Sequence, residues 1–265
     1  AIQFDRNADR NANLVENQAT PFGNGGAAVA ANGVDGQLLF YTDGQNVYGK
    51  NHQILPGGSG IGGNNSLRHP AAIVPSLNAN DNFYYIYIIN GVNELQYLSV
   101  DMSQGDFGEV TSSGQGTGFS NLSDYVNSFK LGDNYFLIFQ ENNSLELVQV
   151  QNNGTLTSIA SHEFSISYAL NNLSVKNQLS DTLSLALSSA NRNGSPKNLI
   201  LLELNLSDAG NPVFQNENIL NNTGFVDQII TDVEWSVGGR NLYFSRNNTI
   251  TSESRLIQLN LDSAT

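Results

Sequence analysis

The chain has 265 residues, no cysteine and a formal net charge of −13, from 24 acidic and 11 basic side chains. Nucleic acids and anionic membranes are bound through clustered Lys and Arg, so this charge balance argues against both partners. Without Cys the chain has no disulfide framework, no thiolate metal site and no cysteine nucleophile. A hydrophobic content of 39% also distinguishes the sequence from that of a disordered chain.

The composition also predicts where the protein acts. Asn accounts for 38 residues, Lys is scarce, and the sequence begins with Ala1 rather than Met. The composition is typical of a secreted or surface-exposed bacterial protein, and the start at Ala1 fits either a mature product after removal of a signal peptide or a fragment. No apolar run reaches the roughly 18 residues that a membrane-spanning helix needs. We therefore predict a secreted protein at the extracellular cell surface, without membrane insertion.

The first 17 residues combine a short apolar strand at 1–5 with a polar loop. Six oxygen-bearing residues occupy positions 1, 3, 5, 7, 9 and 12 of a calcium-loop template: Asp5, Asn7, Asp9, Asn11, Asn13 and Glu16. Arg10 stands where that template has Gly, and the flanking residues do not have a helical pattern. The segment is therefore interpreted either as a calcium site or as a solvated polar loop.

Five strongly apolar segments recur along the rest of the chain and predict equivalent strands. They are 38–42, 84–88, 135–139, 183–187 and 242–245. Their first residues are 46, 51, 48 and 59 positions apart. A repeat of this length, with about four strands in each unit, is typical of the blades of a β-propeller.

The flanking residues support four-stranded units. A strand precedes each apolar segment, a Gly/Asn/Asp turn joins the two, and an alternating strand follows. The last unit ends at its third strand, so we predict that residues 1–5 complete it and close the ring. The predicted domain is a single all-β propeller of about five blades, with a closing strand and polar loop at 1–17. The predicted blades are 18–66, 67–115, 122–166, 170–222 and 225–265; the alternatives are a piece of a six- or seven-bladed propeller and an open β-sandwich array.

A family resemblance rests on three stretches of the N-terminal half: 36–56, 60–87 and 97–111. The first contains Gly-Gln-Leu-Leu-Phe-Tyr-Thr-Asp-Gly at 36–44 followed by Val47-Tyr48, the second contains Gly-Ile-Gly-Gly-Asn-Asn-Ser at 60–66, and the third contains Tyr-Leu-Ser-Val-Asp-Met-Ser at 97–103. Together they resemble the N-terminal propeller-like region of Bacteroidota gliding-motility-associated surface proteins, which carry PKD repeats and a type IX secretion sorting domain. The resemblance implies secretion and surface display, and it implies no particular reaction.

Two groups of residues are candidates for ligand binding. Arg68 and His69 form the one basic-plus-imidazole pair in the sequence, which could contact a sugar or a carboxylate. Tyrosine rings can stack on sugar faces, and the candidates are Tyr48, Tyr41, Tyr97 and Tyr125. The alternative for these rings is packing between blades. The other two histidines, His52 and His162, show no metal-ligand spacing.

Glycoside cleavage needs two carboxyl groups about 5–10 Å apart. The candidates on or beside strands are Asp43, Asp101, Asp232 and Glu234. Asp43 belongs to an Asp-Gly turn, where it can bind its own backbone, and Asp101 ends a strand. Asp232 and Glu234 alternate on a predicted inner strand and would point to one face, so they are the best candidate pair. The alternative is that they line a wet channel.

The sequence contains one match to a nucleotide-binding motif, but the residues that follow it do not predict the helix that the motif requires. Residues 58–63 fit G-x-G-x-x-G, yet Pro70 closes any short helix that could follow. We therefore interpret the segment as a loop between blades. The sequence contains no P-loop, H-E-x-x-H or G-x-S-x-G motif.

These observations lead to one main hypothesis and two alternatives. The main hypothesis is a non-enzymatic surface propeller for adhesion, glycan binding or assembly, with surface glycans or other surface proteins as partners. One alternative is a subunit of an extracellular fibre that self-assembles through donation of its N-terminal strand. The other is a glycoside-acting enzyme that uses channel carboxylates. No cofactor is certain, and calcium is the candidate.

Overall fold

The computed structural model describes most of the chain as antiparallel β-structure. The described residues are 2–4, 12–14, 26–33, 35–78, 82–112, 114–166, 169–176, 182–189, 199–206, 212–220, 228–236, 239–248 and 253–261. The predicted calcium-loop residues Asp5, Asn7, Asp9, Asn11 and Glu16 lie outside them, so calcium binding there stays a prediction.

The N-terminal strands form a hairpin and the first of five consecutive sheets. The hairpin contains β1 (Ile2–Phe4) and β2 (Ala12–Leu14). Sheet 1 contains β3 (Ala28–Ala31), β4 (Leu38–Thr42) and β5 (Val47–Gly49). The Gly49 amide donates to the Gln53 carbonyl at 2.9 Å, and the Leu55 amide donates to the Val47 carbonyl at 2.9 Å. These bonds add a short fourth segment to the edge of sheet 1.

The remaining sheets follow one another along the chain. Sheet 2 contains β6 (Ala71–Pro75), β7 (Phe83–Ile89), β8 (Leu95–Asp101), β9 (Glu109–Val110) and β10 (Gln115–Gly116), of which the last two both pair with β8. Sheet 3 contains β11 (Leu122–Leu131), β12 (Asn134–Glu141), β13 (Ser144–Val150) and β14 (Leu156–Glu163). Sheet 4 contains β15 (Leu170–Lys176), β16 (Thr182–Ser189), β17 (Leu199–Asn205) and β18 (Val213–Leu220). Sheet 5 contains β19 (Gln228–Trp235), β20 (Asn241–Asn248) and β21 (Ser254–Asn260).

The predicted all-β propeller is confirmed by this succession of meandering sheets. Each of the five apolar segments identified in the sequence lies in the second strand of its sheet, namely in β4, β7, β12, β16 or β20. A second strand lies inside its sheet, and in sheets 2 to 4 it is covered on both faces by neighbouring sheets, which explains its nearly continuous apolar sequence. The exact limits of the blades stay a prediction.

Apolar clusters join successive sheets face to face. In β7, Ile86 and Ile88 pack toward sheet 1, whereas Tyr87 and Ile89 pack toward sheet 3. All four side chains are fully buried, and burial of each such side chain contributes about 1.5–3 kcal/mol. Further clusters join sheet 3 to sheet 4 and sheet 4 to sheet 5. Among the described residues, none of the apolar clusters joins sheet 5 to sheet 1.

The N-terminal strand pairs differently from the sequence prediction. Residues Ile2–Phe4 pair antiparallel with Ala12–Leu14, and the described part of sheet 5 has three strands. The predicted closure of the last blade by residues 1–5 is therefore not the pairing that the structure shows. A local hairpin closes a short loop, which costs less chain entropy than pairing with the far end of the sequence.

Hydrogen bonds from tyrosine side chains supplement the apolar packing between sheets 2 and 3. The Tyr87 hydroxyl is buried and donates to the Gly154 carbonyl at 2.7 Å, and the Tyr85 hydroxyl donates to the Asn152 carbonyl at 2.7 Å in a more exposed position. Gly154 has φ +80°, and a Cβ on it would lie 2.6 Å from the Tyr85 ring. The tyrosines thus fix the β13–β14 turn against sheet 2.

A cluster of hydrogen-bonded side chains links the outer strands of sheets 3 and 4. The Glu217 carboxylate accepts a bond from the Ser165 hydroxyl at 2.6 Å and lies 2.7 Å from His162 Nε2. Partial burial raises the pKa of Glu217, but the hydrogen bonds from Ser165 and His162 outweigh it and hold the pKa below its ordinary value. The carboxylate is therefore ionised in the folded protein at neutral pH.

We expect Tyr87→Phe to lower the free energy of unfolding by about 1–2 kcal/mol, because it leaves the buried Gly154 carbonyl without this donor. Tyr85→Phe is the matched control and should cost less, since water can replace its exposed hydroxyl. Urea unfolding of the two variants measures the difference. Equal losses of unfolding free energy in the two variants would show that burial of the hydroxyl does not set the size of its contribution.

We expect Glu217→Gln to lower the free energy of unfolding by on the order of 1 kcal/mol at neutral pH. A carboxyl whose pKa is depressed by folding stabilises the fold above its unfolded-state pKa and loses that contribution as the pH falls through the folded-state pKa. The gap between wild type and variant should therefore close on acidification, as measured by chemical unfolding across pH. Glu253→Gln is the control, because Glu253 and its partner Arg255 are 60% and 63% exposed. A difference in unfolding free energy between wild type and Glu217→Gln that stays constant down to strongly acidic pH would contradict this role of Glu217.

Candidate functional site

A cleft opens where three loops of sheets 1 and 2 meet at one end of the strands. The loops are the β4–β5 turn at 43–46, the connection 57–64 from sheet 1 to sheet 2, and the β7–β8 turn at 90–94. The cleft encloses about 500 Å³. Its lining residues are Gln45, Asn46, Ser59, Gly60, Gly62, Gly63, Asn64 and Gly91.

The β4–β5 turn forms because an aspartate precedes a glycine. Asp43 is buried, and its Oδ1 accepts the amides of Gln45 at 2.9 Å and Asn46 at 2.7 Å. Gly44 follows with φ +87°, a conformation that residues with a Cβ rarely adopt. The aspartate therefore shapes the turn and presents Gln45 and Asn46 to the cleft.

The glycine-rich connection is held against this turn by its backbone. The Gly60 amide donates to Asn46 Oδ1 at 3.1 Å, and the Ile61 amide donates to the Gln45 carbonyl at 2.8 Å. A Cβ on Gly63 would overlap the Gly44 carbonyl oxygen, so only glycine allows the two loops to approach this closely. The Asn64 amide then donates to the Ile89 carbonyl at 2.9 Å and anchors the connection to sheet 2.

The β7–β8 turn forms the third wall. Asn90 is buried, and its Oδ1 accepts the amides of Val92 at 3.0 Å and Glu94 at 2.9 Å. Its Nδ2 donates to Glu94 Oε2 at 3.1 Å. Gly91 is exposed at the wall, and Val92 beside it is 71% exposed. The turn is therefore rigid, with a small residue facing the cleft and an apolar side chain beside it.

The chemistry of the lining is uncharged hydrogen bonding. Three side-chain amides, one hydroxyl and four glycines line the cleft, and none of these side chains ionises. Asn65 Nδ2 donates to Gln45 Oε1 at 3.0 Å and fixes that side chain. Amides offer both donors and acceptors at fixed angles, so the cleft suits a ligand with many hydroxyl groups. It holds no carboxylate or imidazole for proton transfer.

Sequence reasoning did not select the cleft residues, although a signal was present. The G-x-G-x-x-G match at 58–63 supplies Ser59, Gly60, Gly62 and Gly63, and the structure places it in the connection between two sheets. The motif lacks the helix that dinucleotide binding needs, as the sequence indicated. Its glycines instead permit close backbone approach and left-handed conformations at Gly60 and Gly62.

The candidate stacking tyrosines pack inside the fold. Tyr48 is buried and stacks on Tyr41 with ring centroids 5.1 Å apart, and the Tyr41 hydroxyl lies 3.0 Å from His52 Nδ1. Tyr125 is buried, and its hydroxyl donates to the Leu173 carbonyl at 2.7 Å. Tyr97 is half-buried and stacks on Tyr87 at 5.8 Å. Tyr48, Tyr41 and Tyr125 therefore do not offer an open ring face to a ligand.

Arg68 and His69 lie where sheets 2 and 3 meet, apart from the cleft lining. The His69 amide donates to the Asp124 carbonyl at 3.1 Å, and the Val126 amide donates to the His69 carbonyl at 3.1 Å. The His69 ring meets Tyr125 edge-on at 4.7 Å, whereas the Arg68 side chain is exposed. The backbone of His69 thus joins two inner strands, and ligand binding by this pair stays a prediction.

Two of the four candidate carboxylates have structural roles. Asp43 forms the β4–β5 turn described above. Asp101 is buried at the end of β8, where hydrogen bonds from the Ser103 hydroxyl and backbone amide hold its pKa below its ordinary value. An ionised carboxylate that is occupied by its own turn is unsuited to act as a general acid.

Glu234 and Asp232 do not share a simple alternating strand. The pairing of β19 with β20 shifts register between Ile230 and Val233, and Asp232 falls within that shift. Glu234 is exposed and accepts a bond from the Ser174 hydroxyl at 3.0 Å. The side chain of Asp232 lies outside the described residues, so their catalytic pairing stays a prediction.

The described residues contain one polar cluster that includes a histidine, a carboxylate and a serine. Among them, no group of three or more His, Asp or Glu side chains could hold a metal ion. His162, Glu217 and Ser165 form a polar cluster, but the carboxylate lies between the imidazole and the hydroxyl. The imidazole is therefore not hydrogen-bonded to the hydroxyl, so the cluster does not have the order of a Ser-His-acid triad. In the same part of the chain, no helix is long and apolar enough to cross a membrane.

No protein-family model and no curated protein matches the sequence. Among solved structures, the chain is similar to endo-arabinase from Bacteroides thetaiotaomicron VPI-5482, with 10% identity and a TM-score of 0.46 over 73% of this chain and 75% of that one. It is similar to an exo-beta-1,3-galactanase from Clostridium thermocellum, with 13% identity and a TM-score of 0.48 over 97% of this chain and 61% of that one. It is also similar to a quinonprotein alcohol dehydrogenase-like protein from Bacteroides thetaiotaomicron VPI-5482, with 13% identity and a TM-score of 0.45 over 84% of this chain and 50% of that one.

These likenesses concern the fold, and at such identities they transfer no residue role. The chain spans less than two thirds of the length of the galactanase and of the dehydrogenase-like protein. The prediction that the protein is not an enzyme is contradicted, because an endo-arabinase and an exo-beta-1,3-galactanase are among these similar structures. The expected resemblance to gliding-motility-associated surface proteins stays a prediction.

Proposed function

We propose that the chain is an extracellular, carbohydrate-recognising β-propeller and that the cleft between sheets 1 and 2 is its glycan-binding site. The observation that carries the proposal is the lining of the cleft: about 500 Å³ bounded by uncharged hydrogen-bonding groups on three loops. That volume lies in the range of small-ligand sites, roughly 300–1,000 Å³.

The lining matches the chemistry of a sugar. Each hydroxyl group of a glycan both donates and accepts. The side-chain oxygens of Gln45, Asn46 and Asn64 each accept one bond within the loops, from Asn65, Gly60 and Ser66. A second lone pair on each oxygen and the remaining amide N–H groups can still bind a ligand. Gly60 and Gly62 let a ring approach the backbone without meeting a side chain at those positions.

The loops are preorganised, which favours binding by polar groups. Asp43 and Asn90 each accept two backbone amides of the turn that they begin, and Asn46 holds the Gly60 amide. Binding therefore orders few additional groups, and less of the interaction energy is lost to conformational entropy. Weak individual hydrogen bonds to sugar hydroxyls can then add up to a measurable affinity.

Secretion and surface display are parts of the same proposal. They rest on the Asn-rich, Cys-free composition and on the family resemblance of residues 36–111. The partner that the cleft suits is a glycan outside the cell. Glycan recognition serves a binding protein and an enzyme equally, so the assay below also measures product release.

We expect Gly91→Trp to weaken glycan binding at least tenfold, because the indole ring would fill the cleft. Gly91 does not have a positive φ, and no atom lies within 4 Å of the position that its Cβ would take, so the fold should tolerate the change. The measurement is calorimetric titration with oligosaccharides of glucose, galactose, mannose and arabinose, with reducing-end release followed on the same samples.

Gly33→Trp is the matched control for this experiment. Gly33 lies in the β3–β4 turn at the opposite end of sheet 1, with equally open space and no positive φ. Both variants should keep the wild-type melting temperature, and only Gly91→Trp should lose affinity. Wild-type protein that binds none of these oligosaccharides would contradict the proposed function.

A further inference from the structure

We infer that the cleft selects uncharged glycans and rejects acidic ones such as uronates and sulfated sugars. This inference rests on the proposed function, and it names the class of ligand. The inference comes from the distribution of charge around the lining residues. The hydrogen-bonding groups of the cleft do not by themselves distinguish neutral from acidic sugars. Amides bind a carboxylate as readily as a hydroxyl, so rejection of anions has to arise from the surrounding field.

The lining offers no cation to neutralise an acidic sugar. None of its eight residues carries a charge. The nearest basic residue along the connection is Arg68, which is not among the lining residues and whose carbonyl lies against Gly26 at the inner strands. Recognition of carboxylate or sulfate usually relies on Arg or Lys, which supply charge-assisted hydrogen bonds.

Two carboxylates belong to the turns that form walls of the cleft. Asp43 lies two residues before Gln45 and accepts the amides of the turn that carries Gln45 and Asn46. Glu94 is exposed and closes the turn that carries Gly91 through its bond from Asn90. Both turns therefore bring a negative charge close to any ligand in the cleft.

The whole chain reinforces this local field. With 24 acidic and 11 basic side chains, the net charge of −13 creates a negative potential around the molecule. An anionic glycan must approach against that potential and then bind beside the turns that carry Asp43 and Glu94. A neutral glycan experiences neither effect, because its hydroxyl groups carry no net charge.

The salt dependence of binding separates this electrostatic rejection from a steric one. Charges are screened over about 30 Å at 0.01 M ionic strength and over about 8 Å at 0.15 M. We therefore expect acidic glycans to bind at least tenfold more weakly than their neutral counterparts at low salt, and we expect the gap to narrow as salt is added. Neutral glycans should show no salt dependence.

The test compares neutral and acidic probes that share a backbone. The first pair is dextran and dextran sulfate, and the second is methyl-esterified oligogalacturonate and the free oligogalacturonate. Titrations at low and high salt use the wild type, Gln45→Lys and Gln53→Lys. Gln45 lies in the cleft lining, whereas Gln53 is exposed at the outer edge of sheet 1, so both variants change the net charge equally.

The inference predicts that only Gln45→Lys raises the affinity for the acidic probes, by about tenfold at low salt, while Gln53→Lys leaves it near the wild-type value. Equal effects of the two variants would overturn a local origin of the selectivity. Wild-type protein that binds an acidic probe as tightly as its neutral partner at low salt would overturn the inference and leave glycan recognition standing. Wild-type protein that binds neither member of either pair would instead count against the proposed function.

Discussion

The structure depends on one constraint, which is that the apolar second strand of each sheet must be covered by a neighbouring sheet. A four-stranded antiparallel sheet with an apolar second strand cannot hide that strand alone, so successive sheets stack and cover one another. The side chains of β7 show this division, because Ile86 and Ile88 face one neighbour while Tyr87 and Ile89 face the other. The turns and connections lie at the ends of the stack and are free of this constraint. Binding chemistry can therefore develop there without loss of the core.

The cleft shows how loops outside the core gain rigidity. Asp43 and Asn90 occupy equivalent places after the second strands of sheets 1 and 2, and each accepts backbone amides of the turn that follows. Gly63 then allows the connection to contact the Gly44 backbone. Short polar side chains and glycines thus replace the apolar packing that holds the strands. The same residue types leave an uncharged surface, while the carboxylates that shape the turns set the electrostatic field behind it.

Much of the fold could be predicted from the sequence, whereas the site could not. The spacing of the apolar second strands reflects local pattern and burial on both faces, which a sequence records directly. The cleft instead joins Gln45, Asn64 and Gly91, which come from three loops and share no spacing rule. Tyr48 was a reasonable candidate for sugar stacking, but its position opposite Tyr41 in the pairing of β4 with β5 buries its ring. The register shift in β19 lies between Ile230 and Val233 beside the predicted pair Asp232 and Glu234, and local alternation in the sequence gives no sign of it.

The sequence by itself determined the all-β class, the propeller repeat, the acidic charge and the lack of cysteine chemistry, since each is a property of composition or of local periodicity. The tertiary structure alone decided which loops meet, which rings are buried and where Ile2–Phe4 pairs. These outcomes depend on contacts between residues distant in the chain and on small shifts of register. A one-residue shift moves a side chain to the other face of its sheet, and no local pattern reveals it.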